Sequence, residues 1–160
     1  MSLTVDIQCA CAEPVPDEDD LRSWIAAALA SQNSHGDTEI SLRLVDVEEM
    51  AKHNEAFRGV AGPTNVLSFP ANLPAELNLP LLGDIVICAP IVRAEAQEQQ
   101  KSLAAHWAHM AVHGTLHLLG YDHIEDSEAT AMEALESAIL AELHYPCPYQ
   151  TNPPPENSLA

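Results

Sequence analysis

Three histidines in the second half of the chain have the residue type and spacing of metal ligands. His113, His117 and His123 follow the pattern H-x3-H-x5-H. On a helix, His113 and His117 would lie about 40° apart on one face, where both imidazoles can bind one ion. Gly120 can end that helix in a left-handed turn, which lets His123 return to the same ion, with Asp122 as a candidate orienting group. Three imidazoles leave a fourth position open to water, as in catalytic zinc sites.

Neighbouring residues of the same segment leave alternatives open. For His106 and His109, packing or hydrogen bonding near the site is favoured over ligation, because most helical histidines are not ligands. The spacing of the three ligands also matches metzincin peptidases, which carry Glu directly after the first His as the general base. This chain has Gly114 at that position, which disfavours peptidase activity. Phosphodiester cleavage is easier to reconcile, since a metal ion can activate water and neutralise charge on a phosphoryl oxygen.

The charge of the chain limits how it can meet a nucleic acid. The formal net charge is −18, and no Lys or Arg follows Lys101. A broad basic surface for an RNA or DNA backbone is therefore excluded, because phosphate binding needs cations. An anionic substrate must be met by a metal ion or by one of six basic side chains.

The order of predicted elements is βαβαββ followed by helices, which is typical of the α+β class. We expect a small mixed sheet of about four strands packed with about five helices, with the metal site at the end of a central helix. Strands are predicted at Thr4–Cys9, 40–44, 66–69 and 83–88. Helices are predicted after the acidic run 17–20, from Asp46 to near Gly59, from Pro90 to 119 as one bent helix or two, and over 126–143. Asp46 and Glu49 resemble a capping pair.

Length and composition predict one domain over residues 1–145, with a Pro-rich flexible tail over 146–160. No window offers 18 consecutive apolar residues, and the first residues lack the basic flank and apolar run of a secretory signal. We therefore expect a cytoplasmic protein with no membrane partner. The four cysteines are expected to be reduced thiols without a function in that compartment.

Three separated blocks resemble the YbeY family of endoribonucleases. They are Phe57-Arg-Gly ending at Pro63-Thr-Asn-Val-Leu-Ser-Phe69, then Leu82-Gly-Asp-Ile-Val-Ile87, and finally His113-Gly-Thr-Leu-His-Leu-Leu-Gly-Tyr-Asp-His123. The resemblance implies that the three histidines bind one metal ion, most often zinc, although other divalent transition metals suit imidazoles. It also implies that Arg58 is the functional arginine beside the metal. Asp84, in the second block, is expected to line the same cleft, to face a protein partner, or to be a simple strand-end carboxylate. Val60 and Ala61 stand where the family often carries a charged pair.

The resemblance implies a single-strand-specific, metal-dependent endoribonuclease that acts in ribosomal RNA processing, ribosome maturation and ribosome quality control. The implied partners are a ribosomal RNA precursor, a small-subunit ribosomal protein and an assembly GTPase, with no DNA. A non-catalytic ribosome assembly factor with a structural metal is the alternative, because an acidic surface suits docking on basic ribosomal proteins. A metallopeptidase is the third and least favoured hypothesis.

Overall fold

Four strands form one mixed sheet in the computed structural model, which describes residues 3–31, 37–71, 74–77, 80–121 and 126–148. The strands are β1 (Leu3–Ala10), β2 (Thr38–Val45), β3 (Val66–Pro70) and β4 (Leu81–Cys88). Their order in the sheet is β1-β2-β4-β3; β1, β2 and β4 are parallel and β3 is antiparallel to β4. The helices are α1 (Glu18–Ala30), α2 (Val47–Arg58), α3 (Ala89–Glu98), α4 (Leu103–Leu118) and α5 (Asp126–Glu142), and a short 3-10 turn covers Ala75–Leu77. The expected α+β class, four strands and five helices are confirmed.

The two faces of the sheet carry cores of unequal size. Ile40, Leu42 and Ile85 point to the face that α1, α4 and α5 cover, where most buried apolar side chains of the described residues pack. The opposite face has a small core around Met50 and Val86, covered by α2. Strand side chains alternate between these faces, so that β2 and β4 contribute to both cores.

Helix α4 is the central helix and is buried over most of its length. Its residues 105–112 are all buried, and it contacts α1, α3, α5, β3 and β4. Ser102 caps its first turn, where the hydroxyl accepts a hydrogen bond from the Ala105 amide at 3.1 Å. The stretch after Pro90 therefore forms two helices, separated at Gln100, whose φ is +56°.

Two sequence expectations about chain ends and caps have different outcomes. Asp46 precedes α2 as expected but makes no side-chain capping bond, and Glu49 instead binds Arg43, so the predicted capping pair is wrong. The predicted tail lies mostly outside the described residues.

Among the described helices, none combines the length and the hydropathy that a membrane span requires.

Candidate metal and RNA site

The His113 and His117 rings face each other one helical turn apart on α4. Their Nε2 atoms are 3.0 Å apart, and both side chains are half-buried. Two nitrogens bound to one tetrahedral zinc ion at 2.0–2.1 Å would be separated by about 3.3 Å. The pair therefore fits a metal ion with little movement of either ring.

Glu136 of α5 orients the first ring of this pair from inside the core. Its side chain is fully buried, and its Oε2 accepts a hydrogen bond from His113 Nδ1 at 2.5 Å. Its Oε1 accepts one from His109 Nε2 at 3.3 Å. Burial would raise the pKa of Glu136, but the hydrogen bonds from His109 and His113 outweigh burial and lower that pKa to about 2. An ionised carboxylate at Nδ1 places the lone pair of His113 on Nε2, where His117 lies.

The same three residues form a cluster whose ligand atoms lie within 4.8 Å of one another and could hold a metal ion. The cluster lies between α4, which carries His109 and His113, and α5, which carries Glu136, and it is not confined to the end of α4. The hydrogen bond between Glu136 and His113 Nδ1 favours a different division of roles, because ligand histidines commonly donate their other N–H to a carboxylate. In that division Glu136 orients the ligand and His113 presents Nε2 to the ion.

A second histidine–carboxylate pair connects α3 and α4 to the wall of the site. His106 is buried, and its Nε2 donates to Glu95 Oε1 at 2.9 Å. Burial also lowers the pKa of His106. Glu95 accepts a further hydrogen bond from Asn65 Nδ2 at 3.1 Å, and Asn65 Oδ1 accepts from the Val66 amide at 2.7 Å. These bonds hold the first residue of β3 against α3.

Gly120 ends α4 in the predicted left-handed turn. Its φ is +103°, its amide donates to His117 O at 3.0 Å, and the Tyr121 amide donates to Leu116 O at 3.0 Å. This pair of bonds is the Schellman motif, and glycine adopts the required φ without a steric penalty. His123 and Asp122, which follow, lie outside the described residues.

A cavity of about 780 Å³ lies beside the two histidines. Its lining residues are Phe57, Arg58, Thr64, Asn65, Val66, Leu67, Ser68, Pro70, His113, His117, Gly120 and Tyr121. Arg58 is the last residue of α2, and Gly59, with φ +68°, ends the helix directly after it. The exposed Arg58 side chain and the facing His113 and His117 rings therefore belong to one concave surface, formed by α2, β3 and α4.

Gly114 is required by the packing of α4 on the sheet. A Cβ at this position would lie 2.9 Å from Ile85 Cγ2 and 3.3 Å from Ser68 Oγ. Ser68 also donates a hydrogen bond to Gly114 O at 2.9 Å, so α4 and β3 are in direct contact here. A glutamate that acts as the metzincin general base has no room at this position.

The structure brings some of the predicted residues together and separates another. His113, His117 and Arg58 line one cavity, whereas Asp84 lines a different cavity of about 340 Å³, which Arg43 also lines. Sequence reasoning missed Glu136. Its signal was a carboxylate on the apolar stripe of α5, since it lies four residues after Met132 and three before Ile139.

The chain is similar to known proteins over most of its length. The family described as Endoribonuclease YbeY matches residues 8–144. An Endoribonuclease YbeY of Stutzerimonas stutzeri is 53% identical over 95% of this chain and 94% of its own length. One of Pseudomonas putida is 54% identical over 92% of this chain and 93% of its own. The solution structure of TM1509 from Thermotoga maritima has a TM-score of 0.58 at 26% identity and covers 88% of this chain and 89% of its own. This chain belongs to the endoribonuclease YbeY family.

Proposed function

We propose that the chain is a metal-dependent endoribonuclease that cuts single-stranded RNA in the processing of ribosomal RNA. The observation that carries this proposal is the cavity lined by Arg58 and by His113 and His117, whose Nε2 atoms lie 3.0 Å apart. A nitrogen donor pair beside a cation suits a phosphodiester, whose charge must be neutralised while it is cleaved. Membership of the family supports the reaction class.

The proposed metal ligands are His113, His117 and His123, and the proposed ion is zinc. The fit of the first two rests on the 3.0 Å separation of their Nε2 atoms. The role of His123 rests on its spacing and on the turn at Gly120 that precedes it. A bound divalent ion supplies Lewis acidity toward a phosphoryl oxygen and makes water nucleophilic near neutral pH. Glu136 contributes by holding the His113 ring with Nε2 toward the cavity.

The proposed role of Arg58 is to grip the scissile phosphate. A guanidinium can bind two phosphoryl oxygens at once and offset the charge that develops on them. Arg22, Arg43 and Arg93 form ion pairs with glutamates, as expected in an acidic protein. Of the carboxylates in the described ranges, none pairs with Arg58. This difference supports a substrate role for Arg58 over a structural ion pair.

Cleavage of a single-stranded oligoribonucleotide by the purified chain tests the proposal. We expect His113→Ala and chelation each to lower the rate by at least about 100-fold, and Arg58→Ala to lower it by about 100- to 1,000-fold. Arg93→Ala is the matched control, because that arginine pairs with Glu13 outside the cavity, and it should cleave like the wild type. Equal cleavage by all preparations would reveal a contaminating nuclease and reject the proposal.

A purely structural metal would give a different result on chelation. Structural zinc contributes to folding directly, so its removal would unfold the chain. The large core beneath α4 is apolar and continuous, which supports a fold that persists without the ion. We therefore expect a metal-free chain that keeps its far-ultraviolet circular dichroism while it loses cleavage.

The finer assignments depend on family membership. We propose a ribosomal RNA precursor as the substrate, a small-subunit ribosomal protein and an assembly GTPase as partners, and the cytoplasm as the compartment. A single domain over residues 1–145 followed by a tail stays a prediction. Mapping of RNA ends in cells that carry wild type or Arg58→Ala tests the substrate, since precursor ends should accumulate only with the variant.

A further inference from the structure

An exposed aromatic ring lies next to Arg58 in the cavity. Phe57 is 53% exposed although its side chain is fully apolar, and it lines the same cavity as His113 and His117. It belongs to the last turn of α2, directly before the arginine. An exposed ring and a guanidinium at one helix end form a surface with both an apolar and a cationic part.

The Phe57 ring is supported by a second ring from the sheet. The centroid of Phe69, on β3, lies 4.3 Å away with an interplanar angle of 66°, an edge-to-face contact. Phe69 also contacts the ring of His53, one turn before Phe57 on α2, with centroids 6.3 Å apart. The ring is therefore held from the sheet while about half of its surface stays open to solvent.

Charged side chains alone give this cavity little affinity for RNA. Arg58 is the one Lys or Arg among the described residues that line it, and the whole chain carries a net charge of −18. Because so few cationic side chains meet phosphates, few counterions are released on binding. The contribution of counterion release to RNA affinity is therefore small. Stacking of a base on an aromatic ring does not depend on net charge and contributes to affinity for single strands.

We propose that Phe57 is the platform on which one unpaired RNA base stacks, next to the phosphate held by Arg58. This inference rests on the proposed function and adds the residue that distinguishes an unpaired base from a base in a duplex. A base within a duplex is already stacked on both sides by its neighbours and cannot cover the ring. An unpaired base can turn out of the strand and lie on an aromatic side chain.

Binding of a short single-stranded oligoribonucleotide that contains 2-aminopurine tests the stacking, since stacking quenches the fluorescence of this base. Phe57→Ala is expected to weaken binding by about tenfold and to abolish the quenching. Phe57→Tyr keeps an aromatic face and should restore both. Leu77→Ala is the matched control, because Leu77 is 54% exposed and lies outside the lining of the cavity, and it should bind like the wild type.

The salt dependence of binding separates the ring from the arginine beside it. Arg58→Gln should reduce the slope of log K against log salt by about 0.7, the value for one phosphate contact on a single strand. Phe57→Ala should lower affinity equally at all salt concentrations and leave the slope unchanged. A purely structural role for Phe57, transmitted to Arg58, would instead change the slope.

An abasic nucleotide moved stepwise along the oligonucleotide locates the stacked base. At one position it should weaken binding to the wild type by about tenfold and have no effect on Phe57→Ala. Equal penalties for both proteins at every position would overturn the inference, as would wild-type binding and quenching by Phe57→Leu. If the wild type cleaves RNA and Phe57→Ala binds RNA as tightly as the wild type, the stacking proposal alone is rejected. If the wild type neither binds nor cleaves RNA, the proposed function is rejected as well.

Discussion

Histidine–glutamate contacts occur on both faces of the sheet, in very different surroundings. On the face covered by α4 and α5, Glu136 is fully buried and accepts hydrogen bonds from His109 and His113. On the opposite face, the side chain of Glu49 is 31% exposed and binds Arg43 and His53. The pKa of each glutamate is lowered to about 2.

Equal pKa values have different consequences in these two places. For Glu49 the largest cause is the hydrogen bond from Arg43, and water can replace that partner when it is lost. For Glu136 burial acts in the opposite direction and raises the pKa, so its two histidines are what keep the carboxylate ionised. A buried charge without partners is costly, and the network around Glu136 should therefore tolerate far less change.

Glu136→Leu should give the largest effect, because it removes the buried acceptor of the N–H groups of His109 and His113. We expect a loss of about 3 kcal/mol in the free energy of unfolding. We also expect metal affinity to fall about 10- to 100-fold, since His113 loses the group that orients it. Urea unfolding and titration with Zn²⁺ measure the two quantities.

Glu133→Ala is the control for this change, because Glu133 lies on the exposed side of the same helix. It should alter neither quantity by more than a surface substitution does, about 0.5 kcal/mol. If Glu136→Leu unfolds at the same urea concentration as the control and binds Zn²⁺ as tightly, the orienting role of Glu136 is wrong.

Two glycines, Gly114 on the face covered by α4 and Gly59 at the end of α2 on the other face, allow a second comparison of the two faces of the sheet. The expected effects on stability are smaller than that of Glu136→Leu. Gly114→Ala should destabilise the fold by about 2 kcal/mol, because its Cβ would lie 2.9 Å from Ile85 Cγ2 in a closely packed layer. Gly59→Ala, at the end of α2, meets no atom within 4 Å and should cost about 1 kcal/mol through its φ of +68° alone. Thermal unfolding of both variants measures the difference. A stabilised Gly114→Ala, as helix propensity alone predicts, would contradict the packing argument.

The part of the site that helix and turn geometry predicted consists of residues close along the chain, whereas Arg58, which is distant in sequence, was predicted only through the resemblance to the family. The helical pair His113 and His117 is four residues apart, and Gly120 ends that helix three residues later, so helix geometry and turn chemistry place them. The element order likewise follows from periodicity within each segment. These local features are the ones the structure reproduces most directly.

Long-range contacts could not be predicted in the same way. Glu136 meets His113 across 23 residues and Glu95 meets Asn65 across 30, and no local pattern encodes which helix faces pack together. For Glu49 a local pattern predicted a contact that does not form. Its spacing from Asp46 predicted a capping pair, but Arg43 offers two charged donors and binds Glu49 instead. Tertiary contacts decided the partner in each case.

The smallest effect is expected for the loss of the Glu49 carboxylate, which is partly exposed and binds Arg43 and His53, and acid unfolding can measure it. The folded pKa of Glu49 is about 2 against an ordinary 4.5, so its contribution to stability is present above pH 4.5 and is lost as pH falls toward 2. Glu49→Gln removes that contribution. We expect the variant to be less stable than the wild type by up to about 1 kcal/mol at pH 6, because the pair with Arg43 is partly exposed. The difference should shrink as the pH approaches 2.

Urea midpoints measured from pH 6 down to pH 2 at low salt test this sign directly. Gln8→Ala is a matched control, since Gln8 also binds Arg43, at 2.8 Å, but carries no titrating group. Its offset from the wild type should stay constant over the whole range, whereas that of Glu49→Gln should close. Added salt should reduce the Glu49→Gln difference at pH 6, because solvent reaches the pair. A difference as large at pH 2 as at pH 6 would mean that Glu49 acts through packing, and the contrast with Glu136 would then lie in geometry instead of charge.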